Sequence, residues 1–166
     1  MTTKFKTVPT QDLIPYARNS RTHSETQVAK IAASIREFGF LNPVIVDGKN
    51  GIIAGHGRVM AAQKLGLTNV PVIEAAHLTD AQKRAYVIAD NRLALDAGWD
   101  DAMLKIELQD LDLEGFDLTL TGFDLGEITA MFDPPDPPKQ NSTRELDPDA
   151  YALDHRCPKC GFEFDE

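Results

Sequence analysis

Short β-branched runs alternate with helix-patterned segments through residues 1–95, and this alternation limits the fold more than any other feature of the sequence. The run at 43–46 has the composition of a short strand, and 52–54 repeats it after the turn-rich segment 47–51. A third such run follows at 70–74. Because helical periodicity separates these runs, we predict an α/β (α+β) domain in which short helices cover a compact mixed sheet.

Capping signals mark where the helices begin and end. Ser24 opens a capping-box pattern, and the apolar residues that follow at helical spacing lead to Gly39, which is placed as a C-cap. A second helix is predicted to end at Gly66. Thr79 opens a third helix, which we expect to reach about Leu95.

The composition changes after the first domain, which we place at residues 1–95. Residues 96–132 interleave apolar with acidic residues and are predicted to form an acidic helical extension, with a short helix at 125–132. Residues 133–150 contain paired prolines and are the expected linker. Residues 151–166 form a short tail with a cysteine knuckle.

The charge is divided between the two parts of the chain. Residues 1–95 carry 12 Lys and Arg against 7 Asp and Glu, a net charge of +5. Residues 96–166 carry 5 against 19, a net charge of −14, and the two values sum to the −9 of the whole chain. A basic first part suits phosphate-bearing ligands, whereas the acidic second part repels them. The alternative is that the acidic part is a solvated tail that aids solubility.

Hydrophobic runs are short throughout the chain. None is long enough to span a bilayer, and the first six residues lack the apolar stretch of a secretory signal. We therefore expect a cytoplasmic protein without a membrane partner.

The first candidate binding motif is Gly55-His56-Gly57-Arg58, between a predicted strand and the start of a helix. Its glycines let a ligand approach the backbone, and the free N–H groups of a helix N-terminus hold an anion. Arg58 falls in the first turn, where a cation is unfavourable unless an anion binds beside it. His56 is the group of this loop that titrates near neutral pH, so we assign it proton transfer or a phosphate contact. The alternative is an ordinary glycine-rich turn with a surface arginine.

The second candidate is the polar loop that follows the strand-like pair Leu13 and Ile14. Arg18, Asn19 and Arg21 lie in this loop, and two arginines at this spacing can bind neighbouring phosphates. The alternative is a solvent-facing loop that binds nothing.

The third candidate is the pair Asp90 and Asn91, on the helix that Thr79 opens. Helical spacing places both beside one stripe of that helix. A carboxylate and an amide oxygen suit Mg²⁺ that is also held by substrate phosphates, and we assign catalysis to Asp90 together with His56. The alternative is an ordinary solvated helix face.

Cys157 and Cys160 are the two cysteines of the chain and have the spacing of a zinc-ribbon knuckle. His155 could supply a third zinc ligand, and a carboxylate or a second chain the remainder, which would favour a homodimer. A metal-free remnant is the second interpretation. A redox pair, which would need a thioredoxin-like fold around it, is the third.

Four segments occur in an order that resembles the N-terminal domain of the partition protein ParB, in the ParB/sulfiredoxin superfamily. The resemblance covers about residues 8–95. It rests on Asn19-Ser20-Arg21 with the helix at 31–39, on Asn42 to Val46, on Gly55 to Ala62 and on Ile88 to Leu93. It implies the ParB/sulfiredoxin-like fold and a nucleoside triphosphate that these segments bind together with Mg²⁺.

Two departures narrow what this resemblance implies. His56 and Gly57 stand where ParB usually has a glutamate and an arginine, so a preference for CTP is not implied. The same segment lacks the catalytic cysteine of sulfiredoxin, so repair of sulfinic acids is not expected.

Beyond residue 95 the chain resembles phage and prophage ParB-like proteins, through residues 91–100 and 118–128. Those proteins often accompany a DNA methyltransferase, which makes DNA or a methyltransferase an implied partner and the bacterial cytosol, including that of a phage-infected host, the implied location. Neither a cofactor-binding glycine motif nor a catalytic motif of a methyltransferase is present in this sequence. We also expect no helix-turn-helix after residue 95.

Three functions remain as alternatives. The first is a nucleoside triphosphate-binding switch, NTP hydrolase or phosphotransferase that acts in DNA modification or DNA metabolism. The second is a DNA-binding or nuclease module that partners a DNA methyltransferase, and the third is a non-catalytic protein adaptor. The residues favour the first as the biochemistry and the second as the biological setting.

Overall fold

The computed structural model describes residues 4–133, 155–156, 158–161 and 163–164. The chain divides into two compact units, residues 1–132 and 133–166. The first unit holds a four-stranded sheet and five α-helices, which confirms the predicted mixed α+β fold class. None of the helices in the described ranges is long and apolar enough to cross a membrane.

The sheet joins four strands in the order β1-β4-β2-β3. β1 (Lys4–Pro9) runs antiparallel to β4 (Asn69–Glu74), β4 runs parallel to β2 (Val44–Val46), and β2 pairs antiparallel with β3 (Ile52–Ala54). The second, third and fourth strands confirm the three predicted runs. Four valines of β2 and β4 are fully buried and form the centre of the core: Val44, Val46, Val70 and Val72.

The first strand differs from the expectation. The sequence places strand character at Leu13 and Ile14, and this prediction is wrong, because Ile14 makes only an isolated parallel bridge with Gly51. The strand lies at Lys4–Pro9 instead, where exposed residues alternate with Lys6 and Val8. An edge strand of this kind has no continuous apolar run to mark it, and its partner β4 lies far along the chain.

Three helices pack around the sheet in the order α1 (Glu25–Phe38), α2 (His56–Lys64) and α3 (Asp80–Leu93). The Ser24 and Thr79 side chains cap α1 and α3 as predicted, and Gly39 ends α1 with a φ of +83°. The buried Ala61 of α2 packs against Val28 and Ala32 of α1. These small residues let α2 lie close to α1, which fixes the position of its N-terminus.

A helical subdomain completes the first unit. It contains α4 (Asp101–Leu113), a 3-10 turn (Leu118–Thr121) and α5 (Leu125–Phe132), and the last helix matches its predicted bounds. Leu108, Leu118 and Ile128 are buried together as its small core. Two contacts attach the subdomain to α1: the Lys30 ammonium donates to the Gly122 carbonyl at 2.8 Å, and the Phe38 and Phe116 rings stack with centroids 6.0 Å apart.

The described part of the second unit is a two-stranded antiparallel ladder. His155–Arg156 (β5) pairs with Glu163–Phe164 (β6), and residues 158–160 form the turn between them.

Candidate functional site

The start of α2 differs from the other helix starts of the first unit. Side chains of Ser24, Thr79, Asp100 and Asp124 accept hydrogen bonds from the free N–H groups of the other four helices. α2 follows Gly55, which has a φ of +98°, and no side chain among the described residues caps it. Its first N–H groups therefore remain available to an anion, and the helix dipole favours one there.

The Arg58 side chain folds back over this helix start. A Cβ atom placed on Gly55 would lie 2.9 Å from Nε and Nη2 of Arg58, so only glycine leaves room for the guanidinium. Burial lowers the pKa of Arg58, although the nearby Asp90 carboxylate and Tyr86 oppose that shift. A half-buried cation thus lies at the positive end of a helix, and an anion there would stabilise both.

His56 holds the neighbouring loop through its ring. Its Nε2 accepts a hydrogen bond from the Tyr16 backbone N–H at 3.2 Å. Burial lowers the pKa of His56, and the proximity of His23 lowers it further. Both observations indicate a neutral ring with its proton on Nδ1, because an Nε2 that accepts a bond cannot carry the proton.

Gly57 brings a second histidine to the site. A Cβ atom on the buried Gly57 would lie 3.0 Å from Cε1 of His23, so this glycine lets the imidazole approach the backbone of α2. His23 Nδ1 lies 3.0 Å from Oε1 of Gln27, which orients the ring. Sequence reasoning missed His23 as a site residue; its position directly before the capping Ser24 is the signal that could have found it.

The polar loop contributes two of its three predicted residues. The Asn19 side chain donates to the Arg21 carbonyl and accepts from the Arg21 N–H, at 3.1 and 3.2 Å. These bonds fix the loop so that Asn19 and Arg21 line the same cavity as the start of α2. Arg18 is exposed, and the structure does not place it in that cavity.

α3 brings Asp90 and Asn91 to the lining of the same cavity, which has a volume of about 210 Å³. The Asn91 side-chain nitrogen donates to the Val87 carbonyl at 2.8 Å, which leaves its oxygen as the available ligand atom. One carboxylate and one amide oxygen fit Mg²⁺ when phosphates supply further ligands. No group of three or more His, Cys, Asp or Glu able to hold a metal occurs among the described residues, so these two side chains would need those phosphates.

We call this space the phosphate cavity, after the ligand that we propose for it below, and eight predicted residues line it: Asn19, Arg21, Gly55, His56, Gly57, Arg58, Asp90 and Asn91.

A larger cavity of about 300 Å³ lies elsewhere in the unit and shares no lining residue with the phosphate cavity. Its Lys83 ammonium is already paired with Asp47 at 3.4 Å and Asp80 at 3.3 Å. Burial would raise the pKa of Asp47, but backbone N–H groups and Lys83 outweigh that effect and hold the pKa below its ordinary value. Arg84 also lines this larger cavity, but the nearby start of α3 is capped by Thr79. An anion is therefore better accommodated at the uncapped start of α2, in the phosphate cavity.

The predicted zinc ligands are described only in part. Cys157 lies outside the described residues, His155 lies in β5, and Cys160 is exposed in the turn at 158–160.

Comparison with protein families gives two matches. The family described as ParB N-terminal domain matches residues 1–92, and the family described as ParB-methyltransferase HTH domain matches residues 102–155. The second match corrects the expectation of no helix-turn-helix after residue 95. The expectation relied on the lack of basic residues, whereas the match includes α4 and α5 with the short turn between them.

Similar proteins have been described in several bacteria. A ParB-like nuclease domain-containing protein YnaK of Escherichia coli is 56% identical over 86 residues, which are 51% of this chain and 99% of that protein. A nucleoid occlusion protein of Geobacillus thermodenitrificans is 33% identical over 93 residues, which are 53% of this chain and 33% of that protein. The chain thus covers nearly all of the first relative and only a third of the second.

Among the solved structures, we describe one that is similar over most of both chains. It is the C-terminally truncated chromosome-partitioning protein ParB of Caulobacter crescentus, complexed with CTP-gamma-S. The TM-score is 0.65 at 24% sequence identity, and the alignment covers 77% of this chain and 76% of that one. This likeness confirms the ParB-like fold predicted above.

Proposed function

Because the chain belongs to the ParB N-terminal domain family, we propose that its phosphate cavity binds a nucleoside triphosphate together with a divalent cation. The N–H groups at the start of α2 and the Arg58 guanidinium bind the phosphates. Arg21 supplies a second cation from the opposite loop. Arg18 has no part in this proposal, because it lies outside the cavity.

The uncapped start of α2 beneath a half-buried arginine is the observation that carries the proposal. A cation at that end of a helix opposes the helix dipole, and its burial removes it from water. Both costs are offset when phosphate oxygens bind between the N–H groups and the guanidinium. The structural relative from Caulobacter crescentus was solved with a CTP analogue, which agrees with a nucleotide in a fold of this kind.

Asp90 and Asn91 are the residues that would hold Mg²⁺. The cation would supply neutralisation of the phosphate charge. Asn91 is held in place by its bond to Val87, and Asp90 lies close enough to Arg58 to affect its pKa. Both residues line the phosphate cavity, so the pair would supply oxygen ligands beside the phosphates of the proposed nucleotide.

The state of His56 favours a binding site or switch over proton-transfer catalysis. Its Nε2 accepts from Tyr16, so the ring cannot accept a second proton there without losing that bond. The remaining Nδ1–H is a donor, which suits contact with a phosphate oxygen. A contact of this kind would couple the nucleotide to the loop that carries Tyr16.

Isothermal titration calorimetry of the protein against ATP, CTP, GTP and UTP, each with Mg²⁺, tests the proposal. We expect at least one triphosphate to bind with one site per chain, and its diphosphate to bind more weakly. The absence of heat and of a thermal shift with all four triphosphates at millimolar concentration contradicts the proposal.

A DNA-associated role is the second candidate, and the match of residues 102–155 to the ParB-methyltransferase HTH domain favours it. The relative from Escherichia coli is also named for a nuclease domain. Fluorescence anisotropy of a labelled duplex, with and without nucleotide, tests direct binding, and release of labelled fragments tests cleavage. If neither DNA binding nor cleavage is observed, the protein acts on DNA only indirectly, by binding a partner such as a methyltransferase.

A further inference from the structure

α4 presents apolar side chains on two of its faces. Leu104, Leu108 and Leu111 face the small core of the helical subdomain. Met103, Ile106 and Leu113, at helical spacing on another face, are 55%, 50% and 85% exposed. We call these three the α4 stripe, and among the described residues nothing buries it.

Trp99 extends the α4 stripe at its N-terminal end. It lies four residues before Met103, is 69% exposed and contacts the Phe123 ring at a centroid distance of 5.7 Å. Several large exposed apolar side chains in one short segment are unusual for a soluble surface and indicate contact with another molecule.

Acidic residues border the α4 stripe. Asp110 lies within it, between Ile106 and Leu113, and Glu107 and Glu114 lie along one edge. Residues 96–132 carry ten Asp and Glu against one Lys, a net charge of −9. That lysine, Lys105, donates to the Phe132 carbonyl at 3.3 Å.

This charge excludes two occupants. DNA is opposed because phosphates would meet an acidic surface that offers no arginine and a single lysine to neutralise them. A second copy is opposed because a twofold interface places the same patch on both sides, so Asp110, Glu107 and Glu114 would meet like charges.

We infer that the α4 stripe docks a protein partner through an amphipathic helix whose apolar face is flanked by lysine or arginine. The partner's apolar residues cover Met103, Ile106 and Leu113, and its cations meet the bordering carboxylates. This surface lies in the region that matches a helix-turn-helix family, and the inference assigns a protein ligand to this face of α4 alone. It does not depend on the proposed nucleotide site.

Trp99 is the single tryptophan of the chain and reports on the stripe by its fluorescence. The probes are two synthetic helical peptides with the same leucines at helical spacing, one flanked by lysines and the other by glutamates. We expect the lysine peptide to shift the Trp99 emission to shorter wavelength. We also expect its affinity to fall by about tenfold or more between low and high salt, as screening requires. Equal binding of the glutamate peptide, or binding of neither, overturns the inference.

Three variants of the full chain localise the binding, each verified as folded by circular dichroism. Ile106→Glu and Glu107→Lys should each lower the affinity for the lysine peptide by about tenfold or more, which is at least about 1.4 kcal/mol. Asp112→Lys makes the same charge change as Glu107→Lys on another face of α4 and should have a much smaller effect. If Glu107→Lys and Asp112→Lys lose the same affinity for the lysine peptide, the effect depends only on net charge, and the assignment of the α4 stripe as the binding site is overturned.

The two excluded occupants are tested with the same variants. Light scattering that detects a dimer lost in Ile106→Glu would assign the stripe to a second copy. A DNA duplex that shifts the Trp99 emission as the lysine peptide does would assign it to DNA. Either result overturns the inference.

Discussion

Arg58 occupies a position that is unfavourable without a bound anion. Its guanidinium is half-buried, lies against Gly55 at the positive end of α2 and has its pKa lowered by that burial. The carboxylate of Asp90 compensates only in part. A side chain held in this way is prepared to bind a ligand rather than to stabilise the fold, and the first prediction follows from that difference.

Arg58→Ala should weaken triphosphate binding by about 10- to 100-fold, since a hydrogen bond to a charged group contributes about 1.5–3 kcal/mol. The melting temperature of the ligand-free protein should change little. Calorimetry and thermal unfolding measure the two effects, and Arg36→Ala, an exposed cation in the last turn of α1, is the matched control. A large loss of stability with unchanged affinity would make Arg58 structural.

Gly55→Ala should impair both stability and binding. Its φ of +98° costs a residue with a Cβ about 1–2 kcal/mol, and that Cβ would displace the Arg58 guanidinium. Urea unfolding and nucleotide titration measure the effects. Gly98→Ala, where nothing lies within 4 Å of an added Cβ, should stay within about 0.5 kcal/mol. Equal behaviour of the two variants would contradict this account of the helix start.

His56 should make stability depend on pH. Its folded pKa lies below the unfolded value of about 6.5, so the unfolded state binds more protons in the window between the two values. The contribution of neutral His56 to the free energy of unfolding is therefore complete above about pH 6.5 and is lost as the pH falls below that value. The free energy of unfolding, measured with urea at several pH values between 5 and 8, should rise less steeply with pH in His56→Gln than in the wild-type protein. The same dependence of the free energy of unfolding on pH in both proteins would contradict the assignment of a neutral ring bound to Tyr16.

At the scale of single elements, α3 joins the sheet to the phosphate cavity. Val87 packs with Ile53 of β3, and Asp90 and Asn91, one turn later, line the cavity. This attachment fixes the two oxygen ligands relative to the start of α2, so that a metal-dependent effect is expected when either is removed.

Asp90→Ala should weaken nucleotide binding much more in Mg²⁺ than in EDTA, because the carboxylate acts on the nucleotide through the cation. Calorimetry in the two buffers measures the ratio of affinities. Asp96→Ala, an exposed carboxylate that pairs with Arg92 beyond the end of α3, is the control and should leave the ratio unchanged. Equal losses for Asp90→Ala in both buffers would assign Asp90 to the fold.

The helices and strands that could be predicted from the sequence are those determined by interactions between residues close together along the chain. Ser24 and Thr79 mark helix starts because each accepts a hydrogen bond from an N–H three residues ahead. β1 depends on a partner far along the chain and could not be inferred from its own residues. The residues predicted to bind nucleotide and magnesium line one cavity except Arg18. The bond from Tyr16 to His56, in contrast, joins residues 40 apart and is a consequence of tertiary structure.

For the whole molecule, the contrast between a basic domain and an acidic helical subdomain separates two tasks. In our two proposals, the phosphate cavity uses cations of the first 95 residues, and the α4 stripe uses acidic residues of the next part. The subdomain is nevertheless attached to α1 through Lys30 and through the stack of Phe38 on Phe116.

Ending the chain at residue 132 should leave the unfolding transition of the first unit nearly unchanged, because that unit holds the four-stranded sheet and the five α-helices seen among the described residues. Ending it at residue 95 should lower the melting temperature by several degrees, since the cut removes the Phe116 ring that stacks on Phe38 and the Gly122 carbonyl that accepts from Lys30. Thermal unfolding of both truncated proteins measures this. A loss of folding on removal of residues 133–166 would contradict the division into units.

The pairing of β1 with β4 sets the order in which the protein can fold during its synthesis. The paired residues Pro9 and Asn69 are 60 positions apart, and Lys4 and Glu74 are 70 apart. At about 5–20 residues per second, the ribosome needs roughly 3–14 s to add that length of chain. Throughout this interval the first strand lacks its partner β4, and the helices α1 and α2 are synthesised before the sheet that supports them is complete. The β1 segment is therefore translated well before its partner and stays unpaired until β4 follows.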